Sequence, residues 1–290
     1  MDRTFDRAAE DLGNIVGLEH VNVQIPDQRL STLFYITGLG FTRDPYLVTG
    51  VVNMWVNIGR SQFHLPTGKP QVLRGCVGLV VPDLDQLVRR LEGVRKALEG
   101  TEFAFEVRND RVDVTSPWGN RLRCHAPDPR FGKIALGMPY VQFDVPKGAA
   151  PGIARFYGEI LDATASVEEA DASPAARVSV GQRQHLVFRE TAAPLPPFDG
   201  HHIQIYIGNF SRPHARLKAR GLVTEESNQH QYRFNDIVDL DTGKVLFTIE
   251  HEVRSMTHPL YARPLVNRNP EMTNMTFVPG QEVIHWAAAE

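Results

Sequence analysis

Cysteine is scarce in this chain: Cys76 and Cys124 are the only two among 290 residues. That excludes a disulfide-stapled scaffold and points to a reducing compartment, with the cytoplasm as the expected location. Charge of one sign is lacking too, since 31 Lys and Arg face 34 Asp and Glu for a formal net charge of -3. Such a balance leaves no electrostatic footprint for a polyphosphate backbone, so nucleic acid is not an expected partner. No apolar run reaches the roughly 18 residues of a membrane span, because charges, Gly or Pro interrupt each one. The first residues, with mixed charges around Asp2, Arg3 and Asp6, carry no apolar core of a signal peptide, and a short helical or disordered arm is expected there. Absent as well are Gly-x-Gly-x-x-Gly, a Walker loop, Cys-x-x-Cys, His-Glu-x-x-His and Gly-x-Ser-x-Gly. Dinucleotide, phosphate-loop, zinc-ribbon, zincin and serine-hydrolase chemistries are thereby set aside.

What is present is internal repetition. Four segments alternate with a period of two, the mark of a strand with one buried face: His20 to Pro26, Cys76 to Pro82, Tyr140 to Pro146 and His202 to Asn209. Each leads into an amphipathic helix, and Asp27, Asp83 and Asn209 stand where N-caps are needed. Leu30, Leu33, Phe34 and Ile36 give the first helix one apolar stripe, and Leu84, Leu87, Val88 and Leu91 give the second. Further strands follow each helix, ending in those around His64, Arg123, Leu186 and Phe247. The expected fold is therefore α+β, built from four βαβββ modules that form a duplicated pair. Residues 17–127 are expected to form the first pair and 137–253 the second, with 254–290 as a C-terminal extension that either closes over a cup or straps the surface. The Pro- and Gly-punctuated stretch Ala126 to Gly132 is the joint between halves.

The strand His20 to Asp27 followed by Leu33 to Phe41, together with Ser116-Pro-Trp-Gly-Asn-Arg-Leu122, resembles the vicinal oxygen chelate superfamily of glyoxalases, bleomycin-resistance proteins and type I extradiol dioxygenases. The resemblance implies that the four βαβββ modules pair into two cup-shaped, mixed-sheet domains, and that ligands from the first and fourth strands of a cup can close on one divalent cation, Fe(II) foremost, with Mn(II) or Zn(II) as alternatives. It implies a small-molecule substrate and allows a homodimer or higher homo-oligomer.

Mapped onto consecutive pairs, the family's ligand positions give two alternative sites. In the first cup they fall on His20, His64, Cys76 and Arg123, and His125 shares the strand parity of Arg123. Arg cannot ligate a cation, so His20 and His64 with Cys76 or His125 make the first candidate. The competing explanation is an inactive cup in which Cys76 is a small buried hydrophobe. In the second cup the positions fall on Tyr140, Leu186, His202 and Phe247. Glu250 supplies a carboxylate there only if a bulge turns it inward, and otherwise His251 faces the cup. His202 and Glu250 make the second candidate, and Tyr140 or His125 is expected to move protons. His201 is expected on the surface. Two functions remain open: a metal-dependent, dioxygenase-like oxidoreductase acting on a small aromatic or chelating substrate, or a metal-independent binding protein or glyoxalase-like lyase or isomerase using the same cup.

Overall fold

The computed structural model describes residues 5–47, 52–263 and 265. Four modules follow one another along the chain. The first contains β1 (Ile15–Asn22), α1 (Gln28–Ser31), β2 (Thr42–Arg43), β3 (Asn53–Ile58) and β4 (Ser61–Pro66). The second contains β5 (Gly75–Val80), α2 (Leu84–Arg95), β6 (Ala104–Val107), β7 (Arg111–Thr115) and β8 (Arg121–His125). The third contains β9 (Gly137–Pro146), α3 (Ala150–Leu161), β10 (Ala165–Ala170), β11 (Ser173–Gly181) and β12 (Gln184–Thr191). The fourth contains β13 (His202–Ile207), α4 (Ser211–Ala219), β14 (Val223–Asn228), β15 (Gln231–Val238) and β16 (Val245–Ser255). Among the described residues no helix is long and apolar enough to cross a membrane.

Local chemistry sets the helix starts. The Asp27 carboxylate accepts from the Arg29 and Leu30 amides, and that of Asp83 from the Gln86 amide, so orphan first-turn donors are satisfied. Beyond α1 the chain continues as a π-helical segment, Thr32–Gly38, closed by the Leu39 amide on the Phe34 carbonyl at 2.8 Å.

The modules do not pair in chain order. One eight-stranded sheet runs β14-β15-β16-β13-β1-β4-β3-β2, and the other runs β10-β11-β12-β9-β5-β8-β7-β6. The first module thus joins the fourth through antiparallel β1 and β13, and the second joins the third through antiparallel β5 and β9. This corrects the expected pairing of 17–127 within itself and 137–253 within itself: each cup takes one module from each half. The reason is that any first strand of these modules offers an equivalent free edge, so the choice of partner is made by packing across the whole chain.

Alternation then divides each strand. On β13, Ile203, Ile205 and Ile207 enter the core while His202, Gln204 and Tyr206 face the concave side. The apolar faces of both sheets and the helices over them merge in one core that includes Phe34, Phe63, Phe143, Phe156, Phe188 and Phe234. Burying a side chain of that size stabilises the fold by about 1.5–3 kcal/mol, which leaves the concave faces free to be polar.

Candidate metal centre

The exchanged pairing brings the two alternative sites together. Strands β4, β1, β13 and β16 lie side by side, and their inward residues share one concave face. His20 pairs with Gln204 and Asn22 with His202 across β1 and β13, while Asn22 pairs with His64 and His202 with Glu250 along the flanking parallel ladders. The His20 ring centre lies 5.7 Å from that of His64 and 5.6 Å from that of His202. One ring nitrogen of each imidazole comes within 4.8 Å of one from both others. His20 and His202 are buried, His64 nearly so, and the Nε2 atoms of all three have no hydrogen-bond partner. Trp55 stacks on His64 at 3.9 Å and stands edge-on to His20 at 4.8 Å.

Burial drives the His20 and His202 pKa values well below the usual imidazole range and that of His64 down to about 2. Nearby cations, Arg254 and Arg233 among them, push the same way. The rings are therefore neutral, which is the form that ligates a cation. Three convergent, unpartnered ring nitrogens are costly unless something engages them, and imidazole suits Zn, Cu, Fe and Ni. The donor set fits a divalent transition metal.

Carboxylates surround the imidazoles. A register irregularity in β1 between Leu18 and His20 lets Glu19 lie beside the cup: its Oε2 is 3.2 Å from His20 Nδ1 and 2.9 Å from an Arg254 guanidinium nitrogen, and its Oε1 accepts from Tyr206 at 2.9 Å. Glu250 Oε1 is 3.2 Å from His202 Nδ1 and also engages Arg233. Glu252, 4% exposed at its side chain, places Oε2 3.5 Å from His202 Nε2 and is bound by Arg233 and Arg254.

The register places Glu250 in the cup beside His202, with Glu252 two residues further along the same face. Within the first module His20 pairs with Gln62, and His64 stands two residues beyond it. Within the fourth His202 pairs with Glu250, and Glu252 stands two residues beyond. Glu252 is thus the counterpart of His64, and Glu250 lies on the Nδ1 side of His202 as Glu19 lies on the Nδ1 side of His20. Phe247, Ile249 and Val253 enter the core and Glu250 and Glu252 face the cup, and the register irregularity against β15 gives β16 one extra residue between Thr248 and His251. Phe247 is a core residue. His251 faces away from the cup, fully buried, with its Nε2 on the Tyr157 hydroxyl at 2.5 Å.

Cys76, His125 and Tyr140 belong to the other sheet and do not share the cup of His20 and His64. There His125 Nε2 meets the Tyr140 hydroxyl at 2.9 Å and His125 Nδ1 accepts from Arg130 at 3.1 Å. The Tyr140 ring lies over Gly78, where a Cβ would collide with it. Cys76 is buried and free, and burial pushes its thiol pKa up. His185, rather than Leu186, shares that concave face, since it pairs with Tyr140. His201 is fully buried against Asp199 at 2.5 Å instead of exposed, because the strand face opposite the cup is core.

Glu19, Glu252, Arg233 and Arg254 escape the sequence reading. Spacing held a signal for Glu252, which follows Glu250 by one strand repeat, but the two arginines are visible only through the sheet. The C-terminal segment after β16 also reaches this cup: Tyr261 packs edge-on against Tyr206 at 4.9 Å, and Arg263 donates to the Asp44 carboxylate at 2.6 Å. Asp44 in turn accepts from Gln62 at 2.8 Å. The rest of the expected extension lies outside the described residues.

No protein-family model matches the chain, and no curated protein sequence matches it. Among solved structures it is similar to a putative dioxygenase from Bacillus subtilis subsp. subtilis str. 168, with a TM-score of 0.58, 15% identity and 96% of each chain covered. It is similar also to glyoxalase I from Zea mays, with a TM-score of 0.58, 11% identity, and coverage of 82% of this chain and 92% of that one. The chain shares its fold with these dioxygenase and glyoxalase structures, in a four-module form.

Proposed function

We propose that the chain is a metal-dependent enzyme of the vicinal oxygen chelate type, a dioxygenase-like oxidoreductase acting on a small aromatic or otherwise chelating oxygenated substrate. One observation carries the reading: three imidazoles from two modules converge, two of them buried and the third nearly so, with every Nε2 unpartnered. His20, His64 and His202, with Glu252, would hold a divalent cation, Fe(II) by first expectation and Mn(II) or Zn(II) otherwise. When bound, such a cation supplies Lewis-acid stabilisation of charge on substrate oxygens and, for iron, electron transfer with O₂.

The chain's own side chains do the rest. Trp55, stacked on His64 and edge-on to His20, holds these two imidazoles in place. Glu19 and Glu250 orient His20 and His202 from their Nδ1 sides. Burial raises the Glu250 pKa above the usual carboxylate range, which favours a proton acceptor for a substrate hydroxyl and takes over the role expected of Tyr140 or His125. Arg233 and Arg254 keep the neighbouring carboxylates in place.

A second reading has one observation in its favour. All three clustered donors are imidazole, a set that serves Zn(II) as well as Fe(II), and a Zn(II) enzyme of this fold would be a lyase or isomerase that uses no O₂. Oxygen-electrode assays of the Fe(II)-reconstituted protein with a panel of catechols and hydroxy-ketones separate the two. Substrate-dependent O₂ uptake supports the dioxygenase, and conversion of substrate without uptake supports the isomerase.

A further inference from the structure

We propose that Gln204, with Asn22 beside it, is the part of this cup that selects the substrate, by hydrogen-bonding a group with one donor and one acceptor, such as a carboxamide, next to the chelating oxygens. The proposal rests on the metal reading above and names the substrate class for that site.

Placement comes first. Across antiparallel β1 and β13, His20 faces Gln204 and His202 faces Asn22, so each imidazole is followed two residues later by an amide, and the four side chains form a block with local two-fold symmetry. Gln204 also pairs with Glu252 on β16. It therefore lies on the concave face, between His20 and the carboxylate that counterparts His64.

Its state comes next. Gln204 is fully buried, and neither its amide nitrogen nor its amide oxygen has a partner; Asn22 is 5% exposed and its Oδ1 has none. Apart from the three imidazoles, the neighbouring amides and guanidinium groups each have at least one partner. Gln62 bonds Asp44 and Asn57, Gln231 accepts from Arg254, and Arg233 and Arg254 hold the carboxylates. A buried amide with both ends unsatisfied destabilises the fold, and Leu or Met at that place would not. A residue kept only for packing would not be Gln. A site built to bond an amide discriminates strongly against an analogue lacking the matching group, because its own polar atoms are then stranded. An amide is also uncharged, so it selects hydrogen-bond pattern without disturbing the cluster of Glu19, Glu250, Glu252, Arg233 and Arg254.

The test uses the full-length protein loaded with redox-inert Zn(II) and two probes, catechol and a catechol bearing a carboxamide ortho to one hydroxyl, titrated by calorimetry. Wild type should bind the carboxamide at least about tenfold more tightly than catechol. In Gln204→Leu that preference should fall to about twofold or less while Zn(II) and catechol affinities hold. Gln204→Met, close to Gln in volume and unbranched, repeats the measurement should the Leu variant fail to fold. Equal affinities in wild type, or a preference that survives in the variants, would overturn the assignment of Gln204. Absence of Zn(II) uptake by wild type would remove the metal reading and this proposal with it, a separate and recognisable result.

Discussion

Glu19 Oε2 lies 3.2 Å from Nδ1 of His20, leaving the Nε2 of the same ring unpartnered toward the cup. A carboxylate in that place favours the tautomer with its proton on Nδ1 and steadies the ring, the role that outer partners of metal-binding histidines play. Glu19→Ala is therefore expected to lower affinity for a divalent cation by about 10–100-fold, measured by calorimetry with Zn(II). Unchanged affinity would show that His20 is oriented by packing alone.

Glu250 and Glu252 are predicted to differ in kind. Glu252, the counterpart of His64, should cost the greater share of metal affinity when changed to Gln. Glu250→Gln should keep most of the affinity and act on turnover, since it retains shape on the Nδ1 side of His202 and loses the proton acceptor. Competition titrations with a chromophoric chelator on both variants compare them directly, and a larger loss for Glu250→Gln would reverse the assignment.

The Arg263 and Asp44 side chains are 2% and 0% exposed and 2.6 Å apart, which ties the segment after β16 to the cup through Gln62. Arg263→Met leaves a buried carboxylate without its main counter-charge and should cost about 3–5 kcal/mol. Adding Asp44→Asn should recover part of that loss, because the stranded charge is gone. Urea unfolding of the two single variants and the double variant measures the coupling, and strict additivity would mean that the pair contributes nothing as a pair.

His125 gives a pH dependence with a definite sign. Burial holds its pKa down at about 4 against 6.5 for an ordinary imidazole. As pH falls below about 6.5 the unfolded chain takes up a proton that the folded chain refuses until about 4, so folded stability drops across that window and is untouched above it. His125→Gln should flatten this decline in urea unfolding between about pH 7 and about pH 4.5. An identical slope in the variant would show that His125 titrates alike in both states.

Much of the architecture is legible in the sequence. The period-two runs from His20, Cys76, Tyr140 and His202 and the caps at Asp27 and Asp83 give the modules, because these signals are local. The partner of each module is not legible: β1 presents the same kind of edge to β5 as to β13, and only the packing of the entire chain prefers β13. That one long-range choice explains most of the site's differences from expectation. It unites His20 and His64 with His202, and it carries Cys76, His125 and Tyr140 to the other sheet. Phase in β16 is the remaining difference. The run Leu246-Phe247-Thr248-Ile249 is apolar on both parities near its start, so the inward register of Glu250 and Glu252 had no clear local mark.

The central claim is that one metal site is shared by the first and fourth modules, and the most direct test is metal stoichiometry in single histidine variants. Protein purified without chelator, or reconstituted with Fe(II) or Zn(II), should carry about one equivalent, and His20→Ala, His64→Ala and His202→Ala should each lose it while remaining folded by circular dichroism. A wild-type content below about a tenth of an equivalent that reconstitution does not raise, or retention of metal when either His20 or His202 is removed, would contradict a single shared site.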